Sequence, residues 1–224
     1  MQYLYETHCH CSQASRCAHS SSRELVQAYH KAGYAGMVLT DHFIHGNTAI
    51  PRHLPWEQRM ARYYYACLEA KALGDKLDFD VIFGIEHAYG AGKEVLIYGV
   101  ELDFLLKNPD IPSLNLDTLV ERIHSAGGIV IQAHPYRDDN CYPTPEYADA
   151  VEVYNGNPRH NDYNDRAEAY AAENGFPITG GSDAHQLPDI AQGGIITEQP
   201  ITTIEEYIQA VRSGKLGLIK GETV

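Results

Sequence analysis

The sequence predicts an α/β fold, a distorted seven-stranded (β/α)7 barrel of the TIM-like kind. Short apolar runs recur along the chain and alternate with helix-like segments, which favours parallel βα units. Most of these runs end on histidine, carboxylate or asparagine side chains, as expected where strand ends line the mouth of a barrel. At 224 residues, the chain has the length of one such domain, and we expect a single domain over 1–224.

Strands are expected wherever a short apolar run is bounded by turn residues. Helices are expected where apolar residues recur with helical spacing and a glycine follows, as Gly33 and Gly74 do. The predicted strands cover 3–10, 36–40, 80–85, 93–100, 129–133, 150–154 and 177–179. The predicted helices cover 24–32, 56–73, 116–126, 162–174 and 204–212.

The composition indicates a cytoplasmic protein with a sizeable core. Hydrophobic residues make up 44% of the chain, yet no apolar run approaches the length of about 18 residues needed to span a membrane. The first residues lack the basic-then-apolar order of a signal peptide. Five cysteines are an odd number, so we expect free thiols and not a disulfide framework.

The formal net charge of −13 argues against a long nucleic acid as partner. Non-specific binding of a duplex depends on lysine and arginine side chains that neutralise its phosphates. The charge does not argue against a short nucleic acid end that enters a locally positive cleft. We therefore expect a small phosphorylated partner and no membrane association, and the sequence leaves the oligomeric state open.

Histidines and carboxylates are concentrated at the predicted strand ends. His8 and His10 stand two apart on an extended segment, so their imidazoles point to the same face and can hold one metal ion. Each such residue alone also fits a structural role, but a barrel would bring all of them to one mouth. The others are His42, Glu86, His134, Asn155, Asp183 and His185, with His19 in the loop after the first strand.

Imidazoles and carboxylates together suit zinc, manganese or iron better than calcium or magnesium. A carboxylate such as that of Glu86 can bridge two ions. Two ions about 3.5–4 Å apart clamp the attacking and leaving oxygens of a phosphate ester, and they lower the pKa of a bound water to about 7. The residues therefore indicate metal-assisted hydrolysis.

Five motifs resemble those of the PHP (polymerase and histidinol phosphatase) family, in order and in rough spacing, over essentially the whole chain. A loop around Cys17-Ala18-His19 also resembles the histidine-bearing loop of the histidinol phosphatase branch. The five motifs are Thr7-His8-Cys9-His10, Thr40-Asp41-His42, Gly84-Ile85-Glu86, Ala133-His134-Pro135 and Gly181-Ser182-Asp183-Ala184-His185.

The resemblance implies a distorted seven-stranded barrel, a cluster of two or three divalent metal ions (zinc, manganese or iron) and, for most members, phosphoester hydrolysis. The implied ligands fall into three positions. They are His8, His10, Glu86 and Asp183 for the first metal, His19, His42 and His185 for the second, and Glu86 with His134 for the third.

The chain departs from the family pattern at Leu96. Members with three metals usually carry a further histidine on the strand after the bridging glutamate, and Leu96 stands about where it would be. The third position then keeps only Glu86 and His134. We expect this position to be weak, completed by water or empty.

The expected activity is that of a metal-dependent phosphoesterase in which metal-activated water attacks phosphorus. Turnover should depend on Glu86, Asp183 and His185, and the last two are also candidates for proton transfer.

Three arginines are candidates to bind the phosphate as bidentate donors, although each fits a surface ion pair as well. They are Arg16, Arg137 and Arg159. The sequence leaves open whether the ester is histidinol phosphate, a nucleotide, a sugar phosphate or an oligonucleotide end.

Other interpretations remain at this point. The same metal centre could hydrolyse a C–N bond, as an amidohydrolase-like enzyme does, or the chain could be a non-catalytic metal-binding module. A structural zinc site could also use Cys9, Cys11 and Cys17 with neighbouring histidines. Against this last alternative, Cys9 should face away from His8 and His10 on a strand.

Overall fold

The computed structural model describes residues 1–90, 92–139 and 143–221. Its strands and helices alternate along much of the chain, with three short 3-10 turns between them. In chain order they are β1 (Tyr3–Cys9), α1 (Ser22–Lys31), β2 (Gly36–Leu39), α2 (Trp56–Leu77), β3 (Asp80–Gly90), β4 (Lys93–Tyr98), α3 (Leu102–Lys107), α4 (Leu116–Ser125), β5 (Ile129–Gln132), β6 (Ala150–Asn155), α5 (Asn164–Asn174), β7 (Ile178–Gly181), β8 (Gly193–Thr197), α6 (Ile204–Ser213) and β9 (Gly217–Lys220).

The nine strands form one mixed sheet in the order β7-β6-β5-β4-β3-β2-β1-β8-β9. Residues just after β7 return to the end of β1, where Ala184 and Cys9 form a parallel bridge and His10 N donates to Ala184 O at 2.9 Å. The sheet is therefore nearly closed into a barrel, and the ends of β1, β2, β3 and β5 to β7 approach one another at its mouth.

All seven predicted strands are present, but the prediction of a distorted seven-stranded (β/α)7 barrel is only partly correct. β4 runs antiparallel to both β3 and β5, and the unpredicted strands β8 and β9 add two further antiparallel pairings. The physical reason at β4 is its connection. β3 ends at Gly90 and β4 begins at Lys93, so their connection is far shorter than the crossover of a dozen or more residues that parallel neighbours need.

Alternate residues of the strands pack into two different cores. Met37 and Leu39 of β2 face outward, in one cluster with buried side chains of α1 and α2. Val38 lies in the other cluster, inside the barrel, with Ile82 of β3 and Leu96 of β4. Because side chains alternate along a strand, Glu86 shares the inner face with Ile82 but lies nearer the mouth.

Two of the helices begin at capping boxes that the sequence supplies. Ser21 and Glu24 form a capping box at the start of α1, and Thr203 and Glu206 form one at the start of α6. The five predicted helices are found as α1, α2, α4, α5 and α6, and α3 is an addition. Across the described ranges, the helices are too short or too polar to cross a membrane.

Candidate metal centre

The barrel mouth gathers residues that are far apart in the sequence. His8 lies near the end of β1 and His10 just after it, while the others lie at or after the ends of four more strands. All of them are buried, with exposures of 8% or less. The residues at or after these four strand ends are His42 after β2, Glu86 in β3, His134 after β5, and Asp183 and His185 after β7.

Glu86 and Asp183 lie between the imidazoles of His8 and His10. His8 Nε2 is 3.2 Å from Glu86 Oε1 and 3.5 Å from Asp183 Oδ1. His10 Nε2 is 3.5 Å from Glu86 Oε2 and 3.0 Å from Asp183 Oδ1. Atoms that bind the same ion at about 2.0–2.2 Å lie roughly 3.0–3.5 Å apart, so these separations match a shared metal ion.

Buried polar atoms without hydrogen-bond partners test whether the residues fit a metal. Leaving such an atom unpaired costs about 1–3 kcal/mol, because it loses its contacts with water. Divalent ions bound in the cluster would be the missing partner of each of its unpartnered atoms, and the residues therefore fit a metal centre. Within the described part of the chain, the unpartnered atoms of the cluster include His8 Nε2, His10 Nε2, His42 Nδ1, Glu86 Oε2 and Asp183 Oδ1.

The cluster offers several overlapping groups of metal-binding atoms. In each group, one atom from every residue lies within 4.8 Å of the others. Because Glu86 belongs to more than one group and its two oxygens can bridge two ions, the arrangement suits more than one ion. The groups are His8, His10 and Asp183; His8, Glu86 and His134; His10, His42 and His185; and His42, Glu86 and Glu94.

Glu94 is a residue that the sequence analysis missed. Because β4 runs antiparallel, its first residues lie at the mouth, and Glu94 Oε2 is 3.5 Å from His134 Nε2. Leu96 is fully buried and lies directly opposite Glu86 in the β3–β4 pair. The third position thus has Glu94 near Glu86 and His134, where the sequence analysis expected only the latter two.

Hydrogen bonds behind the cluster fix the orientation of His8. Its Nδ1 lies 2.8 Å from Glu152 Oε1, and Glu152 Oε2 accepts from His134 N at 2.9 Å and from Asn155 Nδ2 at 3.0 Å. A carboxylate on one imidazole nitrogen selects the tautomer that leaves the other nitrogen free to bind a metal. Glu152 lies in the predicted strand 150–154, and the sequence analysis gave its side chain no role, so this contact was missed.

Asp41 and Ser15 support His10 in the same way. Asp41 Oδ1 accepts from Ser15 Oγ at 2.7 Å and from Cys11 N at 2.8 Å, and Ser15 Oγ lies 3.4 Å from His10 Nδ1. The Asp41 side chain therefore fixes the loop after β1 and points away from the ion-binding atoms.

Burial and neighbouring charges shift the pKa values of Glu86 and His10. Burial alone would raise the pKa of Glu86, but His42 and His8 outweigh it and hold that pKa well below its usual value. Burial, together with His185 and His42, lowers the pKa of His10 well below its usual value. Glu86 is thus a carboxylate and His10 a neutral imidazole, which are the forms that bind metals.

Two residues of the cluster have left-handed backbone conformations. His134 has a φ of 25° and Asp183 a φ of 48°. Such conformations are uncommon outside glycine and cluster at functional sites, where surrounding contacts hold them. For Asp183, those contacts include the amide of Asn157, whose Nδ2 donates to Asp183 O at 3.2 Å.

His19 does not join His42 and His185 as expected. Its backbone N donates to His185 O at 2.7 Å, but its side chain is exposed. Cys17, two residues earlier, lines a cavity at the mouth together with His185 and His42. Burial raises the pKa of this thiol, but those two histidines outweigh it and lower the pKa to about 6.

The other cysteines do not support a structural zinc site. Cys9 Sγ donates to Val38 O on the outer side of β1, and Cys11 Sγ donates to Asp41 Oδ2 at 3.0 Å. The cysteines in the described ranges are free, as expected, whereas Cys141 lies outside those ranges. Since Cys9 and Cys11 point away from the histidines, the zinc site proposed for the cysteines is not formed.

Arg137 lies beside the cluster and is held by two carboxylates. Its Nη2 donates to Asp183 Oδ2 and its Nε to Asp162 Oδ1, both at 2.6 Å. Burial would lower the pKa of this guanidinium, but Asp183 and Asp162 together raise it. Arg137 therefore stays charged and positions Asp183, and its phosphate-binding role remains a prediction.

The remaining two arginines lie at different distances from the cluster. Arg159 pairs with Asp189, whose Oδ2 also accepts from His185 N at 3.0 Å. Arg159 lines a cavity of about 360 Å³ at the mouth, together with His42, His185 and Glu94 among others. The Arg16 side chain is exposed and is not part of the cavity lining.

Comparisons with known proteins agree with this description. A protein-family model described as PHP-associated matches residues 161–216, which include Asp183 and His185. No curated protein matches the sequence.

Three solved structures share the fold at low sequence identity. One is a two-domain protein from Bacteroides vulgatus ATCC 8482, described as containing a predicted PHP-like metal-dependent phosphoesterase (TM-score 0.76, 13% identity, 99% of this chain and 66% of that one). Another is a lesion-specific endonuclease from Pyrococcus furiosus (TM-score 0.68, 12% identity, 95% and 56%). A third is an amidohydrolase from Chromobacterium violaceum, with bound sulfate and no metal (TM-score 0.59, 14% identity, 95% and 97%).

The chain thus spans 66% of the Bacteroides protein and 56% of the endonuclease. At these identities the structural similarity establishes the fold. The PHP-associated match covers residues 161–216, and the fold shared with the Bacteroides protein extends over 99% of this chain.

Proposed function

We propose that this chain is a metal-dependent hydrolase of phosphate esters that acts on a small phosphorylated molecule. The observation that carries the proposal is the set of buried, unpartnered imidazole and carboxylate atoms that converge at the barrel mouth. Bound divalent ions supply a polarised water and neutralise charge on the phosphate. His8, His10, Glu86 and Asp183 would hold one ion, and Glu94 would join Glu86 at a neighbouring one.

The cavity over the cluster supports a small substrate. Its volume of about 360 Å³ lies at the lower end of the range for small-molecule sites, which is roughly 300–1,000 Å³. Arg137 and Arg159 bring positive charge to its wall in a chain of net charge −13. We propose that Arg159, the more exposed of the two, contacts the phosphate, while Arg137 chiefly positions Asp183.

The residues proposed for turnover have different surroundings. Asp183 Oδ2 is already bound by Arg137, which opposes a role in proton transfer. His185 lines the cavity, and its Nδ1 lies 2.9 Å from Asp183 O, which fixes the ring. Of Glu86, Asp183 and His185, we therefore propose His185 as the residue that reaches the substrate.

A panel of three chromogenic substrates tests the proposal. p-Nitrophenyl phosphate, bis-p-nitrophenyl phosphate and p-nitroacetanilide present a monoester, a diester and an amide on closely related aromatic groups. We expect hydrolysis of the monoester with zinc, manganese or iron, and its loss in Glu86→Gln but not in the exposed control Glu121→Gln. Hydrolysis of the amide alone would instead favour the C–N hydrolase, and equal rates in both variants would contradict a metal-centred mechanism.

A further inference from the structure

The loop between β1 and α1 places Cys17 at the edge of the histidine cluster. Arg16 N donates to Asn47 O at 2.9 Å, and His19 N donates to His185 O at 2.7 Å. These two backbone hydrogen bonds fix the chain on both sides of Cys17. The position of its side chain is thus set by the fold.

Within this loop, the thiol faces the cluster and the imidazole of His19 does not. Cys17 is half-buried, and it lines the cavity at the barrel mouth together with His42 and His185. The His19 side chain is exposed to solvent on the other side. The residue that the loop presents to the cluster is therefore a cysteine.

Independent of Cys17, three imidazoles converge at this point as ligands would. The ring centroid of His10 lies 4.4 Å from that of His42 and 4.3 Å from that of His185. One ring nitrogen from each lies within 4.8 Å of the others. His10 Nε2 and His42 Nδ1 are buried and have no hydrogen-bond partner among the described residues. His10 Nε2 faces Glu86 and Asp183 of the neighbouring ion, so His42 and His185 lack a third protein donor for an ion of their own.

We propose that the Cys17 thiolate is this third donor, completing an ion site with His42 and His185 in the place that the resemblance gave to His19. Binding would release the thiol proton to solvent. Thiolate and imidazole together favour zinc or iron over manganese and magnesium. The inference rests on the metal-binding part of the proposed function and not on which ester is hydrolysed.

X-ray absorption at the zinc edge distinguishes the donors directly. A Zn–S bond of about 2.3 Å is separable from Zn–N and Zn–O bonds of about 2.0–2.2 Å. In zinc-loaded wild-type protein, we expect one sulfur neighbour per chain. Cys17→Ala should lose that sulfur, whereas the matched controls His19→Ala, at the exposed loop position, and Cys67→Ala, in the core of α2, should keep it.

Alkylation of the wild-type protein gives a second measurement that needs no substitution. Iodoacetamide labelling of Cys17, followed by mass spectrometry, should be slower by on the order of tenfold or more when zinc is bound, because a coordinated thiolate is a poor nucleophile. Zinc bound without sulfur, sulfur retained in Cys17→Ala, or an unchanged labelling rate in zinc-loaded protein would overturn this inference alone. Failure of the protein to bind any zinc, manganese or iron would overturn the proposed function as well.

Discussion

Replacing Glu152 with glutamine would test how the cluster selects the metal-binding tautomer of His8. Glu152 Oε2 accepts from His134 N and Asn155 Nδ2, and Oε1 lies 2.8 Å from His8 Nδ1. Glutamine can keep the first two hydrogen bonds with its carbonyl oxygen, which turns its NH2 group toward His8. The imidazole must then accept at Nδ1 and carry its proton on Nε2, the atom that faces Glu86 and Asp183.

The loss of metal affinity follows from moving the proton of His8 from Nδ1 to Nε2. A proton on Nε2 removes one ligand atom, and loss of such a supporting contact typically lowers metal affinity about 10–100-fold. This corresponds to about 1.4–2.8 kcal/mol of binding free energy. A competition titration of zinc against a chromophoric chelator measures it. Glu121→Gln, on the exposed face of α4, is the matched control.

Wild-type affinity in Glu152→Gln would refute the reasoning, because the tautomer of His8 would then not depend on Glu152. A loss of affinity equal to that of Glu121→Gln would refute it too, since both would then report only the change in net charge. A melting temperature measured without metal shows whether the fold of the variant is intact.

Three other predictions concern the same region. Chelation of the metal should lower the melting temperature by about 5–10 °C. Metal at 100 times its Kd stabilises the folded state by about 2.7 kcal/mol, and each kcal/mol shifts Tm by about 2–4 °C in a chain of this size. An unchanged Tm in calorimetry would contradict this prediction. Glu94→Gln should reduce the tightly bound ions by one, measured by elemental analysis after dialysis, and an unchanged count would show that Glu94 is not a ligand. Gly181→Ala should lower the free energy of unfolding in urea by about 1–3 kcal/mol, because the added Cβ would lie 2.4 Å from His8 Cβ. In the control Gly217→Ala the nearest atom lies at 3.6 Å, and the loss should be under about 0.5 kcal/mol. Equal losses in the two variants would contradict the packing argument.

Sequence patterns located the strands but not the direction of every one. The alternation in 93–98 fits a strand of either direction, and the direction depends on its connection. Gly90 and Gly92, with φ values of 132° and 73°, mark the tight turn that reverses the chain. β8 and β9 were missed because Gly193, Gly194 and Gly217 weaken the usual strand signal.

The cluster was predictable where strand periodicity fixes side-chain direction. His8 and His10 share a face because they stand two apart near the end of β1, and the structure brings them to Glu86 and Asp183. Strand periodicity could not predict whether the side chain of Cys17 or that of His19 turns toward the cluster. They lie in an irregular loop, where separation along the chain does not set which side chain turns inward.

The β3–β4 hairpin carries two carboxylates of the cluster, Glu86 on one arm and Glu94 on the other. A short contiguous stretch of the gene encodes both of them. Exchanging that stretch for one with different side chains would alter two donors in a single genetic step while leaving the helices intact. During the divergence of related sequences, substitutions in this hairpin can therefore change the metal preference of the site while the fold stays the same.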